Sequence, residues 1–579
     1  MRLAEALRAI GQLAGERKMS VHLLCGCMPL HLGTFIHAHL ALRFADTYID
    51  LRTGLFGDLE GNLQRAYQNG GDGAIVVIEW SDLDPRLGFR ASAGWRNETL
   101  DDIVAQVHDK SRSLDARLLE LSKKMPVAVA APSIELPPMS YLPPSQAGHF
   151  ELRLNAILAG FLERMAGHDG IRLVSGATLA MASPPNTRHD VRMDLHAGFP
   201  YTLPHADALA EASVQCLFPS PPKKGIITDL DQTLWNGILG DVGVDGVSWS
   251  LEGKSQAHAL YQQVLASLAD SGILVAVASK NDPDLVNAAL QRPDILLPPS
   301  QIFPIEVSWG VKSEAVGRVF ETWNIGADSV VFVDDSPMEL AEVAEKYPGI
   351  ECLRFPPDDP AAVVALLWQL RARFGKNEVL EEDRLRLNSI RASAAPRQEN
   401  AAETAADFLS RIEAKVTLEA AGADPRAFEL VNKTNQFNLN GARYTEVEWK
   451  ALSRRPGAFL ATISYEDRFG PLGRIAVLGG YKENDLCYVD VWVMSCRAFS
   501  RQIEFQSVRQ LFEKTGAFEI RFRFKPTDRN GPLRSFFARF FPTGSSVEGE
   551  LHLRSDDFER LCPPLFHQVH DQWTISEKN

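Results

Sequence analysis

The chain is 579 residues long, 45% hydrophobic and 23% charged, with a formal net charge of −14 and seven cysteines. That length exceeds a single core and predicts three or four domains, and the composition is that of an ordinary soluble protein rather than a disordered one. The acidic balance excludes a general binder of nucleic acid or of anionic membranes. The scattered, odd set of cysteines excludes a disulfide framework, and no apolar run is long enough for a membrane span.

Within residues 1–10, Leu3, Leu7 and Ile10 recur at helical spacing with Glu5 among the arginines. This is an amphipathic helix rather than a signal peptide, and the protein is expected in the cytoplasm. Residues 1–218 then alternate strand-like runs (21–25, 74–80, 127–131 and 171–174) with helical ones (35–43, 100–123 and 150–166). Such alternation predicts an α/β domain with a parallel sheet, which resembles the SGNH-type hydrolase fold. The turn after the first strand reads Gly26-Cys27-Met28-Pro29, without the Gly-Asp-Ser of that fold. Cys27 as a nucleophile with His205 as its base is one reading. A packed structural cysteine and a surface histidine is the favoured one, with the domain a docking or scaffold element. His37 and His39, two apart on a helix, face different ways and make no ligand pair.

After the linker at 219–222, the apolar run within 223–235 ends in Asp229 and Asp231. On an extended segment these carboxylates turn to the same side, with Leu230 pointing away. Charges at the exit of a buried strand need a partner, and a bound cation with a phosphate supplies one. One carboxylate can then attack phosphorus while the other moves the proton. A second strand over 273–281 ends in Ser279 and Lys280, Lys312 opens a helix, and a third strand over 329–335 ends in Asp334 and Asp335. In a parallel sheet all three tips meet at the carboxyl edge, where ligands of open α/β sheets bind.

This ordered set, DxDxT, then Ser, then Lys, then DD, resembles the haloacid-dehalogenase (HAD) phosphohydrolases. The resemblance implies that Asp229 is the nucleophile and Asp231 the general acid/base, with Thr233, Ser279 and Lys312 holding the phosphoryl oxygens. It also implies a Mg2+ site made by Asp229, the Asp231 backbone carbonyl and Asp334, assisted by Asp335. A Gly-rich, hairpin-like flap is expected over 236–246. The short interval between Ser279 and Lys312 leaves no room for a large cap, so the site should admit a bulky substrate. The domain, 222–375, is expected to be Rossmann-like.

A solvated helical linker is predicted over 376–404, and an α+β domain over 405–579 with strands at 458–465, 473–478, 487–494 and 518–525 and helices at 428–433 and 499–515. That order resembles the acetyltransferase (GNAT) fold, whose pyrophosphate loop normally carries glycines. Here the loop reads Ser495-Cys496-Arg497-Ala498-Phe499-Ser500-Arg501-Gln502. Acetyl transfer from coenzyme A is therefore disfavoured. A thiol beside Arg497 and Arg501, where a helix starts, is placed to ionise; a packed cysteine at a strand end is the alternative reading.

Four segments together, Asp229 to Gly243, Val333 to Pro337, Asn432 to Leu439 and Trp492 to Arg497, resemble the FkbH-like proteins of polyketide pathways. The resemblance implies a protein that takes 1,3-bisphosphoglycerate, loads a glyceryl unit onto an acyl carrier protein acting in trans, and removes the remaining phosphate. Cys496 would carry the glyceryl thioester. The polar segment Asn432, Lys433, Asn435 and Gln436, with Arg497 and Arg501, would line a groove for the acyl group or a phosphopantetheine arm; a turn satisfied by its own hydrogen bonds is the alternative for that segment. The alternative is a Mg-dependent phosphatase without acyl transfer.

Overall fold

The computed structural model describes residues 1–11, 17–92, 95–143, 145–394, 410–411, 413–422, 424–468, 470–495, 498, 501–527, 530–541 and 548–576. The chain divides into two compact units, 1–220 with 445–448 and 221–444 with 449–579. Among the described residues, no helix is long and apolar enough to cross a membrane.

In the first unit β1 (Arg17–Cys25), β2 (Thr47–Thr53), β3 (Gly73–Val77), β4 (Val127–Ala130) and β5 (Ile171–Leu173) form one sheet in the order β2-β1-β3-β4-β5. Every pairing is parallel. Successive residues feed opposite cores: Val21, Leu23, Ile75 and Val77 pack on one face, Leu24, Ala74 and Val76 on the other. A strand buried on both faces reads as an unbroken apolar run, which is why β1, β3 and β4 stand out in the sequence. The edge strand β2, with the mixed sequence TYIDLRT, does not.

In the second unit β6 (Gly225–Thr228), β7 (Leu274–Ser279), β8 (Ile302–Val307), β9 (Val330–Asp334) and β10 (Glu351–Arg354) form a second all-parallel sheet. Its order is β10-β9-β6-β7-β8. The chain runs from β6 outward to β8, then returns to add β9 and β10 on the other side. The order therefore reverses between β6 and β9, and a crevice for ligands is expected there. Only the helix Pro283–Leu290, a 3-10 turn and β8 lie between Ser279 and Lys312, which opens the helix Lys312–Trp323. The segment 236–246 is not a hairpin: buried Leu239 draws it inward into the helical turn Leu239–Val242, and a single bridge pairs Asn236 with Ser248.

The linker prediction needs correction as well. In the helix Glu381–Ala394, Asp383 is 1% exposed and pairs with Lys376 at 2.8 Å and Arg386 at 2.5 Å, so this face is packed rather than solvated. The third sheet has the order β16-β15-β14-β13-β12-β11-β17. Its strands are β11 (Lys415–Ala420), β12 (Ala458–Asp467), β13 (Gly470–Glu483), β14 (Leu486–Met494), β15 (Glu519–Phe524), β16 (Gly549–Arg554) and β17 (Gln568–Gln572). It is antiparallel apart from β14 with β15 and β11 with β17. Between β14 and β15 the helix starts at Ile503, later than predicted.

Candidate active site

Strand ends place the first acidic groups of the site. Asp229 follows β6, its N–H donating to Val333 O at 3.0 Å across the β6–β9 switch. Asp334 ends β9 and Ser279 ends β7; all three residues are buried, at 6%, 0% and 3% exposure. Lys312, itself 2% exposed, reaches in from its helix. Its Nζ lies 2.8 Å from Asp229 Oδ1, 2.9 Å from Asp334 Oδ2 and 2.7 Å from Glu339 Oε2. Burial works against its charge, but Asp229 and Asp334 outweigh that and hold the ammonium above its ordinary range.

Asp231 occupies a different environment. One oxygen accepts from Trp235 Nε1 at 2.9 Å and Leu239 N at 3.1 Å, the other from Asn281 Nδ2 at 3.0 Å. Burial raises its carboxyl above the usual range, and the nearby Asp229 charge adds to that against the hydrogen bonds. Thr233 is fully buried and its hydroxyl has no hydrogen-bond partner.

Glu339 escaped the sequence reading. Ser336 caps the helix Pro337–Lys346, and Glu339 stands three residues on, the spacing of a capping box. In such a box the glutamate would bond the cap residue's own N–H. Here Asp334 Oδ1 takes the Ser336 N–H at 2.8 Å. Glu339 is left to bridge Lys312 and Lys280, the latter at 2.9 Å. Asn281 and Trp235 escaped similarly: nothing in their spacing marks them as partners of Asp231.

Asp229, Asp334 and Asp335 offer ligand atoms that all lie within 4.8 Å of one another. Two lysines, Lys312 and Lys280, face Asp229, Asp334, Asp335 and Glu339 here, so the site is short of positive charge. Burial, followed by repulsion from Asp229, pushes Asp334 up to about 7 and raises Asp335 as well. Asp229 Oδ1 and Asp334 Oδ2 are buried and accept no well-aligned hydrogen bond, although both lie near Lys312. Unsatisfied buried carboxylate oxygens in a charge-deficient pocket are what a hard divalent cation with oxygen ligands would complete. The donor set fits Mg2+. The Asp231 side chain is not in this cluster.

The remaining predicted residues lie elsewhere. Asn432 exchanges hydrogen bonds with the Tyr444 backbone, at 3.1 and 2.8 Å, and so pins a loop. Lys433 pairs with Glu429 at 2.7 Å, and Asn435 accepts from Arg443. Gln436 Oε1 is buried without a partner. Arg501 Nε lies 3.5 Å from Asp467 Oδ2. Cys496 and Arg497 lie outside the described residues. In the first unit, the expected surface histidine is corrected. His205 is fully buried, bonded to Ser133 Oγ at 2.9 Å and Ser183 Oγ at 3.0 Å, and burial lowers it to about 3. A contact with Cys25, followed by burial, raises the Cys27 thiol well above its usual range, the reverse of an activated nucleophile.

No protein-family model and no curated protein matches the chain. Among solved structures, the chain is similar to the N-terminal part of the protein BF1531 from Bacteroides fragilis, described as containing a phosphatase domain complexed with Mg. The identity is 22%, covering 65% of this chain and 100% of that one, with a TM-score of 0.53. The fold is shared. A carbohydrate transporter from Acidothermus cellulolyticus, 11% identical over 62% of this chain and 88% of its own, has a TM-score of 0.14 and carries no argument.

Proposed function

We propose that the second unit is a Mg2+-dependent, HAD-type phosphohydrolase acting in the cytoplasm. The observation that carries this reading is the convergence of Asp229, Asp334 and Asp335 within 4.8 Å at the switch of a parallel sheet, with Lys312 between the first two. Asp229, Asp334 and Asp335 would hold the ion, with the Asp231 carbonyl. Bound there, Mg2+ supplies positive charge to the phosphoryl oxygens. Asp229 attacks phosphorus, and the phosphorus–oxygen bond to the leaving group breaks. Asp231, its carboxyl raised above the usual range by burial, gives its proton to the departing oxygen. It then takes a proton from the water that frees Asp229 and releases phosphate. Thr233, Ser279 and Lys312 orient the phosphoryl group.

The substrate reading is glyceryl loading, as in the FkbH-like proteins. An acyl phosphate such as 1,3-bisphosphoglycerate is already activated, so a thiolate captures its carbonyl with loss of phosphate and without ATP. Cys496 would form that thioester and pass the glyceryl unit to the thiol of an acyl carrier protein. The 3-phosphate monoester falls to Asp229. On this reading the first unit is an SGNH-like docking element and the third sheet belongs to a GNAT-like acyltransferase domain. The likeness to a Mg-bound phosphatase domain supports the hydrolase, and the parallel β14–β15 pair flanking a helix supports the acyltransferase.

The test is intact mass after incubation with 1,3-bisphosphoglycerate and Mg2+. A glyceryl adduct on the wild type, none on Cys496→Ser, and a phosphoglyceryl adduct persisting on Asp229→Asn would support both steps. Phosphate release with no adduct on any form would leave the phosphatase alone.

A further inference from the structure

The second sheet has another cavity at its opposite end, with a volume of about 530 Å³. One wall is the amino edge of that sheet: Lys224 before β6, Leu274 opening β7 and Ser329 before β9. The other is made by the helix Pro425–Lys433 and the segment after it, with Arg386 and Ile390 of the helix Glu381–Ala394 closing the side. Gly225 permits this arrangement, because a Cβ there would lie 2.4 Å from the Trp323 ring that lines the cavity.

Its charge is the reverse of the Asp229 site. Lys224, Arg386, Arg426 and Lys433 face Asp328 and Glu429, a positive excess in a chain of net charge −14. Glu429 pairs with Arg426 at 2.5 Å and Lys433 at 2.7 Å. Burial works to raise its carboxyl, and these two cations overcome that and hold it well below the usual range. A second, independent observation points to a ligand. Arg426 is 6% exposed and its Nε has no partner, and Gln436 Oε1 is likewise buried and unpaired. A buried guanidinium N–H left unmade is costly, and anionic oxygens are its natural acceptors. Trp323, Ile390 and Met494 add apolar wall, so the space exceeds a bare anion and accommodates an organic body.

We propose that this cavity is a second phosphate site, which binds but does not hydrolyse the phosphate of an extended organic ligand. Both acids lining it are engaged, Glu429 by its cations and Asp328 by neighbouring groups, so nothing there is poised to attack phosphorus. Lys224 and Asp229 stand five residues apart along one strand, about 16 Å at strand rise, so a phosphate held here is beyond the reach of Asp229. The chemistry is that of a phosphate ester, from one of two sources: a phosphorylated three-carbon acid or the phosphodiester of a carrier's pantetheine arm. The choice of sources rests on the glyceryl-loading reading; the cavity does not.

Calorimetric titration of the full chain in EDTA tests it, since the Asp229 site without a cation repels anions. The probes are inorganic phosphate, 3-phosphoglycerate, 4′-phosphopantetheine and unphosphorylated pantetheine. One organic phosphate should bind one-to-one, at least tenfold tighter than inorganic phosphate or pantetheine. That affinity should fall at least tenfold in Lys433→Gln and in Arg426→Gln. Because Arg426→Gln strips a partner from Glu429, the double variant Arg426→Gln/Glu429→Gln removes both charges and keeps the test valid if the single one misfolds. Asp229→Asn should bind as the wild type does. The ester that binds more tightly identifies the source. Absence of binding by every organic phosphate, equal binding by inorganic phosphate, or undiminished binding in the Lys433 and Arg426 variants overturns the proposal. Any of these with phosphate release intact leaves the hydrolase reading standing. Lost hydrolysis in the wild type with binding present does the opposite.

Discussion

Two parallel sheets in this molecule each end in buried carboxylates, and the two sets are in opposite condition. In the first unit Glu79, just past β3 and 5% exposed, accepts from Ser133 Oγ at 2.7 Å, Ile134 N at 3.2 Å and Tyr201 Oη at 3.0 Å, and from the Ser133 N–H. Burial pushes it up to about 7 against those donors. The Ser133 proton goes to Glu79, so Ser133 Oγ must accept from His205 Nε2–H, and His205 Nδ1 accepts from Ser183. From Tyr201 through Glu79, Ser133 and His205 to Ser183, each side chain has a hydrogen-bond partner. In the second unit Asp229, Asp334 and Glu339 share two lysines, and buried oxygens of Asp229 and Asp334 remain without aligned donors. The closed network is a brace; the open one is a place for a ligand. Burial of an acid does not separate the two, but completeness of its hydrogen bonding does.

The largest expected effect breaks the open site. Asp229→Asn should lower phosphate release by at least about 10³-fold, because it removes the attacking oxygen, with the circular dichroism spectrum unchanged. Glu79→Gln in the closed network should change the same rate less than about twofold while lowering the denaturant midpoint, at the cost of a broken buried bond. Equal losses of activity in both variants would erase the contrast.

Lys312→Met sharpens it thermodynamically. Without that ammonium, Asp229, Asp334 and Glu339 face one another uncompensated, and stability in EDTA should fall by about 3–5 kcal/mol. Added Mg2+ should restore part of the loss, and should raise the wild-type midpoint but not that of Asp334→Asn. Urea titrations with and without Mg2+ give the answer.

The closed network makes a pH prediction of definite sign. Burial, followed by the Arg188 charge, depresses His205 to about 3, against 6.5 in its ordinary state. Below pH 6.5 the unfolded chain takes up a proton that the folded one refuses, so stability falls as pH falls towards 3. The loss is on the order of 5 kcal/mol. Glu79 works the other way: folded, it keeps its proton up to about 7, so its contribution is full below 4.5 and is lost as pH rises to 7. Urea midpoints at several pH values for wild type, His205→Gln and Glu79→Gln separate the two slopes. A His205→Gln profile parallel to the wild type would refute the acid-side assignment.

How much of this was legible follows from where each residue sits. Asp229, Ser279 and Asp334 end or follow strands buried on both faces, so an apolar run points at each of them, and Lys312 is marked by the helix it opens. Glu339 follows no such run; its role depends on Asp334 having taken the Ser336 N–H, which is a matter of three-dimensional placement. The strands the sequence reading passed over include the sheet edges β2, β16 and β17. An edge strand is held largely by backbone hydrogen bonds from one neighbour, and sequences such as QVHDQ and GELHLR carry little apolar signal. Of the residues lining the cavity beside Arg426, the polar run in the sequence pointed to Lys433, Asn435 and Gln436, whereas Lys224, Arg386 and Arg426 come from separated stretches of chain and carried no such mark.

The smallest effect concerns backbone strain, and here too the sites differ. Glu79 sits in relaxed extended backbone at φ −112°, whereas Gln232, between Asp231 and Thr233, is held at φ 56°. A left-handed residue favours asparagine, whose short side chain tolerates that region. Gln232→Asn should therefore stabilise the second unit by about 0.5 kcal/mol, and Gln232→Ala should not. Neither change touches the hydrogen bonds of Asp231, so phosphate release should stay within about twofold of the wild type. Equal midpoints for the two variants would show that the turn is held by its flanking contacts, Leu234 N–H to Leu230 O at 2.8 Å among them, rather than strained at Gln232.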